Sequence, residues 1–141
     1  MHGVGFTVLT LSVVVLGCSD TGGESAVCLD PLPTDCVPLY EPTYDNVFEQ
    51  TFKGCSVGGS ACHSEQGAKG GLVLSDKELA YTSLLNPPAT APRVIAGDPE
   101  CSSLVHRLES TDNAVVMPPG NPLSASERCA IEQWIRQGAH P

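Results

Sequence analysis

The chain has 141 residues, of which 41% are hydrophobic and 5% aromatic, and its formal net charge is −9. The hydrophobic content argues against a fully disordered chain, and the length suits one small domain with an additional segment. The acidic balance excludes nucleic acid as a partner, because no basic patch is present to neutralise phosphate. Seven cysteines in so short a chain indicate an oxidising, exported location.

Residues 1–17 have the pattern of a bacterial lipoprotein signal peptide. The apolar run from Val4 to Leu16 is too short for a comfortable membrane span, and Cys18 stands where polar sequence begins. Cys18 is therefore the predicted lipidation site, and the lipid would anchor the chain to the cell envelope, facing the periplasm or at the outer membrane. The first three residues lack the usual positive charge, so a plain secretory signal is the alternative.

Residues 18–42 are rich in Gly, Pro, Ser and Thr and show no helical period. This composition predicts a flexible tether ahead of a folded domain at 43–141. Cys28 and Cys36 lie close together in this stretch, on either side of a proline-rich segment. This pair is predicted to form a local disulfide, which would add only modest stability because the loop it closes is short.

The first predicted helix has Thr43 as its N-cap and ends at Gly54. Its apolar stripe, at positions i, i+3, i+4 and i+8, consists of Tyr44, Val47, Phe48 and Phe52.

A pair of cysteines that ends in an adjacent histidine directly follows this helix. Cys55, Cys62 and His63 are the residue types of a covalent haem site, where two thiols take the vinyl groups and the imidazole takes the iron. Six residues, 56–61, separate the cysteines, whereas the usual motif has two. The longer loop also has the length to close as a Cys55–Cys62 disulfide, which is the alternative prediction.

Two more helices are predicted before residue 110. One starts at a capping box, Ser75 to Glu78, and runs to about Leu85, where Asn-Pro-Pro stops it. The other opens at Asp98 as N-cap with Pro99 at the first helical position. The apolar stripes comprise Leu79, Leu84 and Leu85 on the first of these helices, and Cys101, Leu104, Val105 and Leu108 on the second.

Met117 is the only methionine besides the initiator, and it lies on a loop at 112–123 that three prolines stiffen. Methionine is a common sixth ligand in cytochromes that carry electrons, so Met117 is the predicted distal ligand.

The last helix starts at a second capping box, Ser124 to Glu127, and stops at Gly138. Cys129 near its start is predicted to pair with Cys101. No strand pattern is present, and the fold class predicted is a mainly α, small helical domain of about four helices.

The chain also resembles a known family. Residues 62–64, 70–74, 97–104, 117–120, 122–124 and 131–139 are similar, in this order, to segments of the planctomycete-type cytochrome c-like domain of exported bacterial proteins. The resemblance covers roughly residues 50–139. It implies a cytochrome c-like fold with haem c, with His63 as the proximal ligand and Met117 as the distal ligand.

Three functions remain to be separated. The first is electron transfer by a single haem c in a lipid-anchored protein whose redox partner is unknown. The second is a haem-free, disulfide-stapled binding module of the cell envelope on the same fold. The third, an enzyme with five-coordinate haem, requires Met117 to be off the iron and is disfavoured. No catalytic triad or paired carboxylates argue for a hydrolase, and no second ligand pair argues for zinc.

Overall fold

The computed structural model describes residues 28–57, 62–87 and 92–141. Within these ranges the protein is mainly helical, and no strand is present among the described residues. This confirms the predicted fold class. No helix in the described ranges is long and apolar enough to cross a membrane. The helices are α1 (Tyr44–Gln50), α2 (Lys77–Leu85), α3 (Ser103–Glu109) and α4 (Ala125–Arg136), with 3₁₀ turns at Phe52–Ser56 and Lys69–Gly71.

Local capping accounts for the starts of three helices. Thr43 caps α1 through its side chain, and Ser124 and Glu127 form the predicted capping box of α4. The predicted cap of α2 is wrong by one residue, because Asp76 rather than Ser75 is the N-cap, and its carboxylate accepts the Leu79 N–H at 3.0 Å. Aspartate is an equally favoured N-cap residue, so the sequence pattern alone does not decide between the two.

The predicted start of α3 is also wrong, because the helix begins at Ser103, four residues after Pro99. The Asp98 carboxylate accepts the Cys101 N–H at 3.1 Å, which closes a turn instead of the first turn of a helix. The buried Ser102 hydroxyl donates to the Asp98 carbonyl at 2.7 Å and accepts the Ile95 N–H at 2.9 Å. This tertiary hydrogen bond to Ile95 draws the chain into the turn.

Trp134 lies at the centre of the core. Its ring stacks on Tyr44 at 5.3 Å between centroids and meets the edge of Phe52 at 6.4 Å, which packs α4 on α1. On α2 the predicted apolar face is partly wrong, because Leu79 is 48% exposed and Ala80 is buried in its place. The core comprises Tyr44, Val47, Phe48, Phe52, Leu72, Leu74, Ala80, Leu84, Val94, Val105, Leu108, Ile131, Trp134, Ile135 and Ala139.

Residues 28–42, hereafter the N-terminal strap, are fastened to the helical domain by two disulfides. Cys28 bonds Cys101 and Cys36 bonds Cys129, across 73 and 93 residues of sequence. The prediction that these four cysteines form two disulfides is confirmed. The predicted pairing of Cys28 with Cys36 and of Cys101 with Cys129 is wrong, because the strap lies against the domain and brings each of its cysteines to a different partner.

Hydrogen bonds also hold the strap against the helical domain. The Leu29 and Leu32 N–H groups donate to the Glu100 carbonyl and carboxylate at 2.9 and 3.2 Å, and the Leu39 N–H donates to the Ser126 carbonyl at 2.9 Å. The structure therefore departs from the predicted tether over residues 28–42. The predicted signal peptide, the lipidation site Cys18 and the rest of the tether, residues 1–27, lie outside the described residues.

Candidate functional site

Cys55 lies in the 3₁₀ turn that directly follows α1. Its thiol is half-buried against the core and donates to the Thr51 carbonyl at 3.8 Å. Burial raises the pKa of the Cys55 thiol, and the neighbouring Cys62 raises it further. Cys55 is therefore held as a protonated thiol at the edge of the apolar core.

The cysteine loop is closed at its base by the backbone. The His63 N–H donates to the Cys55 carbonyl at 3.3 Å, so both ends of the insertion meet although six residues separate the cysteines. Cys62 is exposed, and neither Cys55 nor Cys62 forms a disulfide. The predicted alternative, a Cys55–Cys62 disulfide, is therefore not the state of this structure. Residues 58–61 of the loop lie outside the described residues.

His63 is half-buried, and a single hydrogen bond fixes the orientation of its ring. Nδ1 lies 3.3 Å from the Leu72 carbonyl oxygen. A carbonyl can only accept, so Nδ1 donates in this contact, and Nε2 is the ring nitrogen left to bind a metal. This is the arrangement by which proteins prepare a histidine to bind a metal through its second nitrogen.

The carbonyl that orients His63 belongs to a well-anchored segment. Leu72 and Leu74 are buried in the core, and the Leu74 N–H donates to the His63 carbonyl at 2.7 Å. The Arg93 guanidinium donates to the carbonyls of Gly70 and Ser83 at 2.6 and 2.7 Å, which ties this segment to α2.

Met117 reaches the core from the loop between α3 and α4. Its side chain is half-buried against the core cluster, and its N–H donates to the Arg107 carbonyl at 3.0 Å. Val116 before it is only 4% exposed and anchors the loop. The structure thus brings Cys55, Cys62 and His63 together at one loop, and places Met117 on the same core from a separate loop.

No group of three or more His, Cys, Asp and Glu side chains in the described ranges could hold a metal ion. A haem iron needs only two axial ligands from the protein, because the porphyrin supplies the other four. Two unbonded thiols, an imidazole with a free Nε2 and a thioether are the donor set of haem c, so the residues present fit that group.

Two cavities in the described part of the chain lie away from these residues. One of about 140 Å³ is lined by Tyr44, Trp134 and His140, and one of about 280 Å³ by Gln133 and Arg136. Neither is lined by a candidate ligand.

Sequence reasoning missed the residues that support the site. Leu72 and Arg93 act through a backbone carbonyl and a guanidinium, and neither residue type signals such a role. The paired glycines ahead of Leu72 were the only local signal, because Gly70 and Gly71 take positive φ values of 63° and 69°.

Comparison with family models supports the resemblance drawn from the sequence. Residues 60–121 match the family described as Planctomycete cytochrome C. The matched segment contains Cys62, His63 and Met117, and it ends before α4 and starts after Cys55. The predicted resemblance to a planctomycete-type cytochrome c-like domain is thereby confirmed. Comparisons with curated proteins and with solved structures found no match.

Proposed function

We propose that this protein carries electrons with a single haem c. Cys55 and Cys62 would hold the group covalently, and His63 Nε2 and Met117 Sδ would bind the iron. The observation that carries the proposal is the hydrogen bond from His63 Nδ1 to the Leu72 carbonyl beside two unbonded thiols. The match of residues 60–121 to a cytochrome c family supports the cytochrome-like role.

The bound group would supply a one-electron couple, and the chain would tune it. The Leu72 carbonyl makes the His63 imidazole more basic and prevents its rotation. The half-buried Met117 thioether and the apolar core beneath it favour the reduced state and raise the potential. A filled sixth position leaves no place for substrate, so we propose a carrier and not an enzyme.

Location and partners follow from the N-terminal sequence and the charge. Lipidation at Cys18 would hold the carrier at the cell envelope without a transmembrane segment. The net charge of −9 favours a redox partner with a basic docking surface.

The second candidate is a haem-free binding module on the same fold. It is favoured by the core, which side chains fill, and by the two disulfides that close long loops. The six-residue spacing between Cys55 and Cys62 also departs from the motif that attachment enzymes usually accept.

A pyridine haemochrome spectrum separates the two functions. The protein is expressed with its own signal peptide in a host with full cytochrome c maturation. We expect a covalent c-type spectrum that is lost on Cys62→Ala and His63→Ala. The control is His106→Ala, since His106 is also half-buried and also faces a backbone carbonyl, that of Glu100 at 3.0 Å. A colourless protein from a host that matures other cytochromes would overturn the proposal.

Thiol alkylation of the haem-free protein, exported by a host without maturation enzymes, gives an independent readout. The exposed Cys62 should react first, and Cys55 should react more slowly because it is half-buried and its pKa is raised. In the haem-bearing protein both should resist alkylation. If the haem-free protein contains no reactive thiol, the two cysteines are paired and the disulfide-stapled module is favoured.

Carbon monoxide tests the sixth ligand. The reduced wild-type protein should bind it weakly, because Met117 occupies the position, whereas Met117→Ala should bind it readily. Strong binding by wild type would favour the catalytic alternative.

A further inference from the structure

One side chain of α4 joins the two ends of the Met117 loop. Arg128 forms an ion pair through Nε with the Glu109 carboxylate, at the end of α3 where the loop departs. Its Nη1 donates at 2.6 Å to the carbonyl of Leu123, where the loop returns to α4. The Arg128 and Glu109 side chains are only 24% and 23% exposed, so solvent screens this contact less than a surface ion pair.

A second carboxylate lies beneath this contact. Glu132, one turn further along α4, is only 6% exposed, so its side chain is withdrawn from solvent. Burial and the nearby Glu109 both raise the pKa of its carboxyl. The charged groups that face Glu132 are Glu109 from α3, and Arg128 and Arg136 from α4 itself. Arg136 is engaged by Glu100 at 2.8 Å.

We propose that Arg128 is the positioning residue of the Met117 loop, which it closes by holding Glu109 and the Leu123 carbonyl. The closure itself stands on the contacts of Arg128. Only the consequence that the closed loop holds Met117 as an iron ligand rests on the proposed function.

The charge beside this contact changes with pH, which gives a proton effect on the closure. Burial, then Glu109, raise the pKa of Glu132 to about 7, while Arg128 and Arg136 oppose the rise. Below that pH Glu132 is neutral, and Arg128 pairs with Glu109 alone. Above that pH a second carboxylate competes with Glu109 for Arg128. The loop therefore loosens as the pH rises through neutrality.

Hydrogen exchange at the Met117 amide tests the closure, because this N–H is bonded to the Arg107 carbonyl and lies midway along the loop. It is measured on the full chain as purified, with or without haem. Arg128→Gln should speed exchange about tenfold, since a charge-assisted contact and a carbonyl partner are lost together. The matched control is Arg136→Gln, which removes a partly buried Arg–Glu pair from the same helix but leaves the loop ends untouched.

Equal exchange in Arg128→Gln and wild type, or equal acceleration in Arg128→Gln and Arg136→Gln, would overturn the closure. If Arg128→Gln does not fold, Arg128→Lys serves in its place. Lysine keeps the charge but lacks the planar fork that reaches two acceptors, so exchange should still accelerate. Wild-type exchange in Arg128→Lys would overturn the role of the fork.

The proton effect has its own measurement. After correction for intrinsic exchange, wild-type protection of Met117 should fall with a midpoint near pH 7, whereas Glu132→Gln should show no such step. An unchanged midpoint in Glu132→Gln would overturn the competition of Glu132 for Arg128. In the haem-bearing protein, the far-red absorption of methionine-bound ferric haem should fall over the same pH range. If Arg128→Gln speeds exchange but the wild-type protein shows no haemochrome spectrum after expression in a host that matures other cytochromes, the closure stands and the proposed function is refuted.

Discussion

His63 shows how a single backbone contact can orient a candidate ligand. The ring nitrogen Nδ1 is occupied by the Leu72 carbonyl, which leaves Nε2 for the proposed iron. The carbonyl stays in place because Leu72 is buried and because Arg93 ties the preceding Gly70 to α2. The side chain proposed as a ligand and the atoms that orient it therefore come from different segments of the chain.

Gly71 gives a test of this support. Its φ is +69°, and an added Cβ would lie 3.5 Å from Arg93 Nη2. We expect Gly71→Ala to lower the free energy of unfolding by about 1 kcal/mol, because L-residues are strained in the left-handed region. Gly54→Ala is the control, since its Cβ would meet nothing within 4 Å and its φ is not in that region. Denaturant unfolding of both variants measures the difference, and equal losses would contradict the explanation.

Among the structural elements, the N-terminal strap departs most from the sequence-based prediction. Its disulfides bond it to Cys101, in the turn ahead of α3, and to Cys129 in α4. Glu100 links the strap to α4, since its carbonyl and carboxylate accept from Leu29 and Leu32 and its carboxylate also pairs with Arg136. Proline-rich sequence without helical period has the composition of a linker, yet cysteines and spaced leucines allow it to pack. A disulfide that closes a long loop constrains the unfolded chain more than one that closes a short loop. The two observed disulfides therefore stabilise the fold more than the predicted Cys28–Cys36 disulfide would.

Peptide mapping without reduction checks the pairing. Trypsin cuts after Lys53, Arg93, Arg107, Arg128 and Arg136, so Cys28 and Cys36 share one peptide. The structure predicts that both peptides 94–107 and 129–136 are linked to it, and cleavage before Asp30 and Asp35 then assigns each bond. A direct link between 94–107 and 129–136 would contradict the structure.

Removal of the second disulfide measures its energy. The Cys36→Ala, Cys129→Ala double variant should lose about 4.6 kcal/mol of unfolding free energy, as the chain-entropy relation gives for a loop of 93 residues. Urea unfolding of the oxidised proteins measures it. A loss near 1 kcal/mol would show that the unfolded chain is already compact.

At the scale of the whole molecule, a small core surrounds a buried acid. Trp134 packs α4 on α1, and α3 adds Val105 and Leu108 to the core. Because native domains are only marginally stable, a single buried carboxyl influences the overall stability. Glu132 of α4 is such a group, since it is buried and the nearby Glu109 raises its pKa.

Stability should therefore decline as the pH rises towards neutrality. The pKa of Glu132 is raised to about 7 in the folded state from its ordinary 4.5, so its contribution is fully present below about pH 4.5 and is lost as the pH passes about 7. We expect wild type to lose on the order of 2 kcal/mol relative to Glu132→Gln across this window. Urea midpoints at both ends measure it, with the exposed Glu65→Gln as control. Parallel pH curves for wild type and Glu132→Gln would contradict the prediction.

The helical class and the caps of α1 and α4 were predictable because each depends on neighbours within a few residues. Thr43, Ser124 and Glu127 cap as predicted, and the order of Cys62, His63 and Met117 already carried the family resemblance that the match over residues 60–121 confirms. The start of α3 was not predictable, since the buried Ser102 hydroxyl and its partner Ile95 redirect the chain.

By itself the sequence determined the helical class and the capping of α1 and α4, and it singled out the residues that we propose hold haem c. Only the tertiary structure decided how the four bonded cysteines pair, that the strap belongs to the domain, which His63 nitrogen is free, and that Arg128 joins the ends of the Met117 loop. The physical reason is the range of the interactions. Periodicity and caps act over three or four residues, whereas the two disulfides join residues 73 and 93 positions apart, and their partners are chosen by packing.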